Sequence, residues 1–187
     1  MDPIKEKEYI RQILDGNTGL FALFLEEYSE QVYRVISRII RSQEESEELT
    51  QDVFMKAFRS LGSFKGDCCF STWLFRIAYN SAISATRKKK IEYPSINEKI
   101  FNQVADNELD NLFEQDGNES LLRRLEEAVQ KLGPEEQYLL TLYYNNNRPV
   151  KEIEEIMGLS AANVKIKLHR IRKKLYLMIN DKNYGKG

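Results

Sequence analysis

"PVKEIEEIMGLSAANVKIKLHRIRKKL", residues 149–175, decides the reading of this chain. Pro149 opens a short helix, "VKEIEEIM", because a proline at a helix start has no N–H to leave unpaired. Gly158 supplies a residue that turns left-handed without steric cost. Ser160 follows as the cap of a second, longer and more basic helix. A short helix, a glycine-bearing turn and a basic helix make the layout of a helix-turn-helix.

The second helix can be tested by projection, since helical positions advance by about 100° per residue. Val164, Leu168, Ile171, Leu175 and Met178 fall on one narrow apolar face. Opposite them lie Ala162, Ile166, His169, Arg170 and Lys173, flanked by Lys165, Lys167, Arg172 and Lys174. Small residues at the N-terminal end let a helix approach a groove closely. Cations suit guanine edges and phosphates. Ile166 is apolar yet lies off the buried face. It either touches a thymine methyl or sugar, or is an ordinary exposed isoleucine or one covered by a partner.

Working outward, "LLRRLEEAVQKL" (121–132) reads as an amphipathic helix stopped by Gly133-Pro134, with "EEQYLLTLYY" and a polar turn "NNNR" after it. Upstream, 93–118 has no sustained period, is punctuated by Pro94 and Gly117-Asn118, and is acidic, so it reads as a linker. Before it comes a run of helices. Asp2-Pro3 starts one that ends near Asp15. The next carries Phe21, Phe24, Leu25, Tyr28, Val32, Val35, Ile36 and Ile39 at helical spacing. Ser42 with Glu45 reads as the cap of a third, whose buried face is Leu49, Val53 and Ala57. A loop from Gly62 to Cys69 then leads to a long helix, capped by Ser71 or Thr72 and reaching about Lys90. The fold class is all-α: a helical domain over 1–92, a linker over 93–118, and a helix-turn-helix domain over 119–187.

On the long helix, Leu74, Ala78, Ser81, Ala82 and Ala85 form a close-packing face, while Trp73, Arg76, Asn80, Ser84 and Arg87 form a separate stripe. A flat ring, an amide and cations in line suit unpaired nucleic acid: bases stack on aromatics and cations follow the backbone. On composition alone, Trp73 could equally belong to the core.

The bounds exclude other classes. The 187 residues carry 30% charged and 42% hydrophobic side chains, ordinary for a globular protein. The net charge of −1 hides an acidic middle between two basic blocks, 87–90 and the stretch from Lys165 onward. No apolar run approaches the roughly 20 residues of a membrane helix. The N-terminus lacks the pattern of a signal peptide, so the cytoplasm is the expected compartment. One histidine and the adjacent Cys68 and Cys69 cannot make a four-ligand zinc site, and no phosphate-cradling glycine loop occurs. Neither catalytic residue, metal nor cofactor is expected.

Two segments carry a resemblance. "ELTQDVFMKAFRSLGSFKGDCCFSTWLFRIAYNSAI" resembles the promoter-opening domain of bacterial sigma factors, and "LGPEEQYLLTLYYNNNRPVKEIEEIMGLSAANVKIKLHRIRKKL" resembles their C-terminal promoter-binding domain. With only these two parts, the chain is similar to the extracytoplasmic-function (ECF) group of the sigma-70 family.

The resemblance implies a sigma factor that binds core RNA polymerase, recognises the −35 and −10 promoter elements and promotes DNA melting, without being an enzyme. Glu47, Glu48, Leu49, Gln51, Asp52 and Phe54 would dock on the β′ clamp helices, and the C-terminal domain would meet the β flap. The loop from Phe64, with Lys56, Trp73, Arg76, Asn80 and Arg87, would capture a flipped base of the −10 element. Asn163, Lys165, Ile166, Lys167, His169 and Arg170 would read the −35 element. Many family members carry serine at the position of Ile166, which favours an apolar contact here. An anti-sigma protein is the further partner implied. The alternative is a stand-alone helix-turn-helix regulator that binds a symmetric site as a dimer.

Overall fold

The computed structural model describes residues 2–87 and 119–180. The linker expected over 93–118 and the extension of the long helix to Lys90 lie outside the described residues. Within them every regular element is helical. The helices are α1 (Pro3–Leu14), α2 (Phe21–Ile39), α3 (Gln43–Ser60), α4 (Phe70–Arg87), α5 (Glu119–Gln130), α6 (Pro134–Leu140), α7 (Val150–Met157) and α8 (Ala161–Asn180).

Local chemistry explains most of the boundaries. Asp2 accepts the Ile4 N–H and starts α1, and Ser42 accepts the Glu45 N–H at the head of α3. Gly133 precedes Pro134 at the head of α6, where Glu136 Oε2 accepts the Gly133 N–H at 2.9 Å. The same oxygen receives Lys174 Nζ at 2.9 Å, which ties the start of α6 to α8. Lys174 is thus buried and paired, so it does not flank the exposed face of α8 as its position in the projection suggests. Helix α6 passes into a wide π-type turn, Thr141–Asn145.

Helix α4 departs from expectation. Ser71 and Thr72 lie inside it and are buried. Its first N–H, from Phe70, is instead donated to Oε1 of Glu6 at 2.8 Å. A carboxylate on α1 therefore caps a helix that begins 64 residues later in the chain.

The first half packs α2, α3 and α4 around Phe24, Val32, Ile36, Val53, Ala57, Phe70 and Leu74, all at or near zero exposure. The second half packs α5 to α8 around Leu132, Leu139, Leu142, Ile153, Ile156 and Val164. These buried residues form one continuous apolar cluster across both halves. Tyr138, fully buried on α6, donates its hydroxyl to the Phe75 carbonyl of α4 at 2.7 Å and lies 5.0 Å from the Tyr79 ring. Burial pushes the Tyr138 phenol well above its ordinary pKa. The guanidinium of Arg148 sits 4.8 Å from the Phe75 ring centre and binds Ser71 Oγ (3.1 Å) and Glu152 Oε2 (2.9 Å). Arg41 reaches the Gln130 carbonyl at 3.2 Å.

Gly158 closes α7 with φ +67°, ψ 34°, in the left-handed region. Its N–H and that of Leu159 both return to the Glu154 carbonyl. A Cβ there meets no atom within 4 Å, so strain alone opposes substitution. Gly158→Ala is expected to lower unfolding free energy by about 1–2 kcal/mol, measured by urea denaturation.

Candidate nucleic-acid interface

A cleft of about 380 Å³ opens where the loop before α4 meets that helix. Phe64, Lys65, Gly66, Asp67 and Cys68 form one wall and Thr72, Trp73 and Arg76 the other. Gly66, at φ +75°, makes the turn of the loop. Trp73 is half-buried, 5.3 Å from the Phe64 ring and 5.6 Å from the Phe70 ring. It belongs to both of its candidate settings: it packs against the core and lines the cleft. Arg76, Asn80, Ser84 and Arg87 continue from it as an exposed stripe. Lys56, exposed on α3, extends its Nζ to Ser81 Oγ at 3.1 Å. The six residues expected at a base-capturing site, Lys56, Phe64, Trp73, Arg76, Asn80 and Arg87, are thus carried by α3, α4 and the loop between them.

The sequence alone did not point to Glu155. It comes from α7, in the other half, and lines this same cleft. No local pattern marks it, because it reaches the cleft only through the packing of α7 on α4. Burial raises the Cys68 thiol pKa, and the neighbouring Glu155 carboxylate adds to the effect. Cys69 is exposed, and both cysteines are free thiols.

On α3, Glu47, Glu48, Gln51 and Asp52 are exposed on the side away from Val53 and Ala57, and Leu49 is half-buried beneath them. Phe54 differs. At 3% exposure it sits edge-on to Phe21, 6.5 Å between ring centres, so it holds α3 in place and is not available for a surface contact. Helical spacing puts position 54 next to the polar face, and only the presence of α2 shows which side it joins.

The second basic surface is the outer face of α8. Asn163, Lys165, Ile166 and Arg170 are exposed, and Lys167 and His169 are partly so. Ser160 caps the helix through the Asn163 N–H at 3.3 Å, and Glu154 accepts the Ala161 N–H. Ile166 is 52% exposed, a large apolar side chain among cations. Lys167 is offset by Glu135 at 3.7 Å. Among the described residues no cluster of histidine, cysteine and acidic side chains could hold a metal ion, and no helix is long and apolar enough to cross a membrane.

A helical structure that carries both an aromatic cleft and a basic helix-turn-helix matches known proteins in both parts. Residues 24–91 match the family Sigma-70 region 2, and residues 122–175 match Sigma-70, region 4. The chain belongs to the sigma-70 family and is an RNA polymerase sigma factor of the ECF group. It is 28% identical to the ECF RNA polymerase sigma factor SigW of Bacillus subtilis over 94% of this chain and 97% of that one. It is 25% identical to BldN of Streptomyces coelicolor over 96% of this chain and 68% of that one. Its fold is similar to CnrH solved with the cytosolic domain of CnrY (TM-score 0.67, 19% identity, 94% of this chain and 97% of that chain). It is also similar to RpoE solved with the anti-sigma factor NepR from Bartonella quintana (TM-score 0.62, 20% identity, 87% and 98%). Sigma factors are not enzymes.

The position of Glu155 can be read through Cys68. In a Cys69→Ser background, alkylation of Cys68 near pH 8 should be slow, because a raised pKa leaves little thiolate. Replacing Glu155 with Gln removes a charge that holds the pKa up, and the rate should rise. An unchanged rate would mean that α7 does not lie against the loop in solution.

Proposed function

We propose that this sigma factor docks on the β′ clamp helices of core RNA polymerase through Glu47, Glu48, Gln51 and Asp52, with Leu49 beneath them. The C-terminal half meets the β flap. The cleft at Phe64, Trp73 and Arg76 accepts an unpaired base of the −10 element, with Asn80, Lys56 and Arg87 on its path. The face of α8 built from Asn163, Lys165, Ile166, Lys167, His169 and Arg170 reads the −35 element. The observation that carries this reading is the presence, in one chain, of an aromatic-walled cleft beside an exposed cation–amide stripe and of a separate basic recognition helix. Duplex docking positions the promoter, and base capture traps local melting, since extruding a base costs a few kcal/mol that a preformed cleft must offset. The cytoplasm is the compartment where these partners meet. Two of the similar folds were solved with CnrY or NepR, the latter named an anti-sigma factor, and an anti-sigma protein is the further partner proposed here.

Run-off transcription with separately purified core polymerase tests the reading. Initiation should require both components. It should fall at least tenfold on Asp52→Lys, through lost docking, and on Asn80→Ala, through lost base contact; about 1.4 kcal/mol corresponds to each factor of ten. A chain that leaves polymerase inactive but protects a symmetric duplex site by itself would support the stand-alone regulator.

Geometry adds a second prediction. The −35 and −10 elements lie about 25 base pairs apart, roughly 85 Å along B-form DNA at 3.4 Å per pair. A compact chain of this length has a radius of gyration of about 16 Å and a width near 40 Å. The closed arrangement therefore cannot engage both elements of straight DNA, and the halves must part. Dyes on Arg59 and Lys151 positions, one in each half, should show high energy transfer in the free protein and low transfer in the promoter complex. High transfer in an active promoter complex would exclude separation.

A further inference from the structure

Glu6 stands outside both matched family segments, 24–91 and 122–175. Its carboxylate is buried, at 7% exposure, and both oxygens are engaged. Oε1 accepts the Phe70 N–H at 2.8 Å, and Oε2 accepts the Tyr28 hydroxyl at 3.0 Å. Burial, reinforced by this negative charge, pushes the Tyr28 phenol well above its ordinary pKa.

The place of this contact matters more than its strength. Phe70 is the first residue of α4 and the last of the cleft loop's run into that helix. The preceding residue, Cys69, contributes its carbonyl to the first turn through the Trp73 N–H, but its side chain is exposed. A cysteine is a poor cap, so the helix start draws its acceptor from α1. A carboxylate there also meets the positive end of the helix dipole, and a charged acceptor makes a stronger bond than a neutral one. The Phe70 ring, fully buried, touches Phe24 at 4.5 Å, Trp73 at 5.6 Å and Phe64 at 6.0 Å. Holding the Phe70 backbone therefore holds the ring on which both aromatic walls of the cleft rest.

We infer that Glu6 is a positioning residue for base capture: α1, through this one carboxylate, sets where the cleft loop ends and at what angle Trp73 and Phe64 face an incoming base. The inference rests on the proposed role of the cleft for its consequence in transcription, but not for the positioning itself.

The test uses the full chain in three forms: wild type, Glu6→Ala and Glu6→Gln. Glutamine keeps an oxygen for the Phe70 N–H, whereas alanine does not. On the free protein, Trp73 is the sole tryptophan and reports the cleft directly. Its emission should shift to the red in Glu6→Ala and stay near wild type in Glu6→Gln. With core polymerase and promoter, permanganate reactivity of unpaired −10 thymines should fall severalfold in Glu6→Ala. Polymerase affinity and binding to −35 duplex, each corrected for the folded fraction, should not change, and Glu6→Gln should recover melting.

Wild-type Trp73 emission in Glu6→Ala would overturn the inference. So would a loss of melting, polymerase binding and duplex binding in equal proportion, which marks a general folding defect. If Trp73 shifts as expected while wild-type protein opens no promoter, the positioning stands and the role of the cleft in melting fails.

Discussion

Helix α4 is packed from several directions at once, and the rest of the molecule follows from that constraint. One face, with Leu74, Ala78 and Ala82, is small enough to lie close against α2 and α3. Another, with Ser71, Phe75 and Tyr79, meets α6, α7 and Arg148. The remaining stripe of Trp73, Arg76 and Asn80 is left to the cleft and to solvent. A helix buried on two sides cannot shift or rotate without breaking both contacts. Its third side is therefore fixed in the closed protein by the contacts on the other two.

The contact between the halves differs from the contacts within each. Within the first half, aromatic and branched side chains interlock around Phe24, Phe70 and Val53 at close to zero exposure. Between the halves, apolar burial by Tyr138 and Phe75 is joined by directional polar contacts: the Tyr138 hydroxyl, the Arg148 guanidinium, Ser71, Thr72 and Glu152. Such groups regain partners in water when separated, so the net gain from each hydrogen bond is about 1 kcal/mol. An interface of this composition can hold the halves together without the permanence of an interlocked apolar core. Glu155 brings a carboxylate from α7 to the cleft, so the electrostatics of the cleft also depend on the contact between the halves.

Much of this was legible in the sequence because the signals are local. Gly158 requires a left-handed residue whatever surrounds it, and Ser160 and Ser42 cap from within their own turns. The period of Val164, Leu168, Ile171 and Leu175 names its buried face without reference to a partner, and the structure buries all four. The stripe on α4 was visible for the same reason. What could not be read was any residue whose role depends on another element's position. Phe54 lies beside exposed Asp52 and Gln51 in the helical projection, yet α2 draws it inward. Lys174 belongs by sequence to a basic face, yet Glu136 on α6 pairs with it in a partly enclosed site.

Sequence by itself determined the helical class, the helix-turn-helix and the two basic surfaces. These depend on periodicity, caps and charge, which act over one to four residues and are encoded where they act. Only the tertiary structure decided that Glu6 caps α4, that Tyr138 and Arg148 join the halves, and that Glu155 stands at the cleft. Each of these pairs residues far apart in the chain. A buried donor or charge accepts whichever complementary group the packing of whole helices brings to it, and that packing is set by every apolar face together.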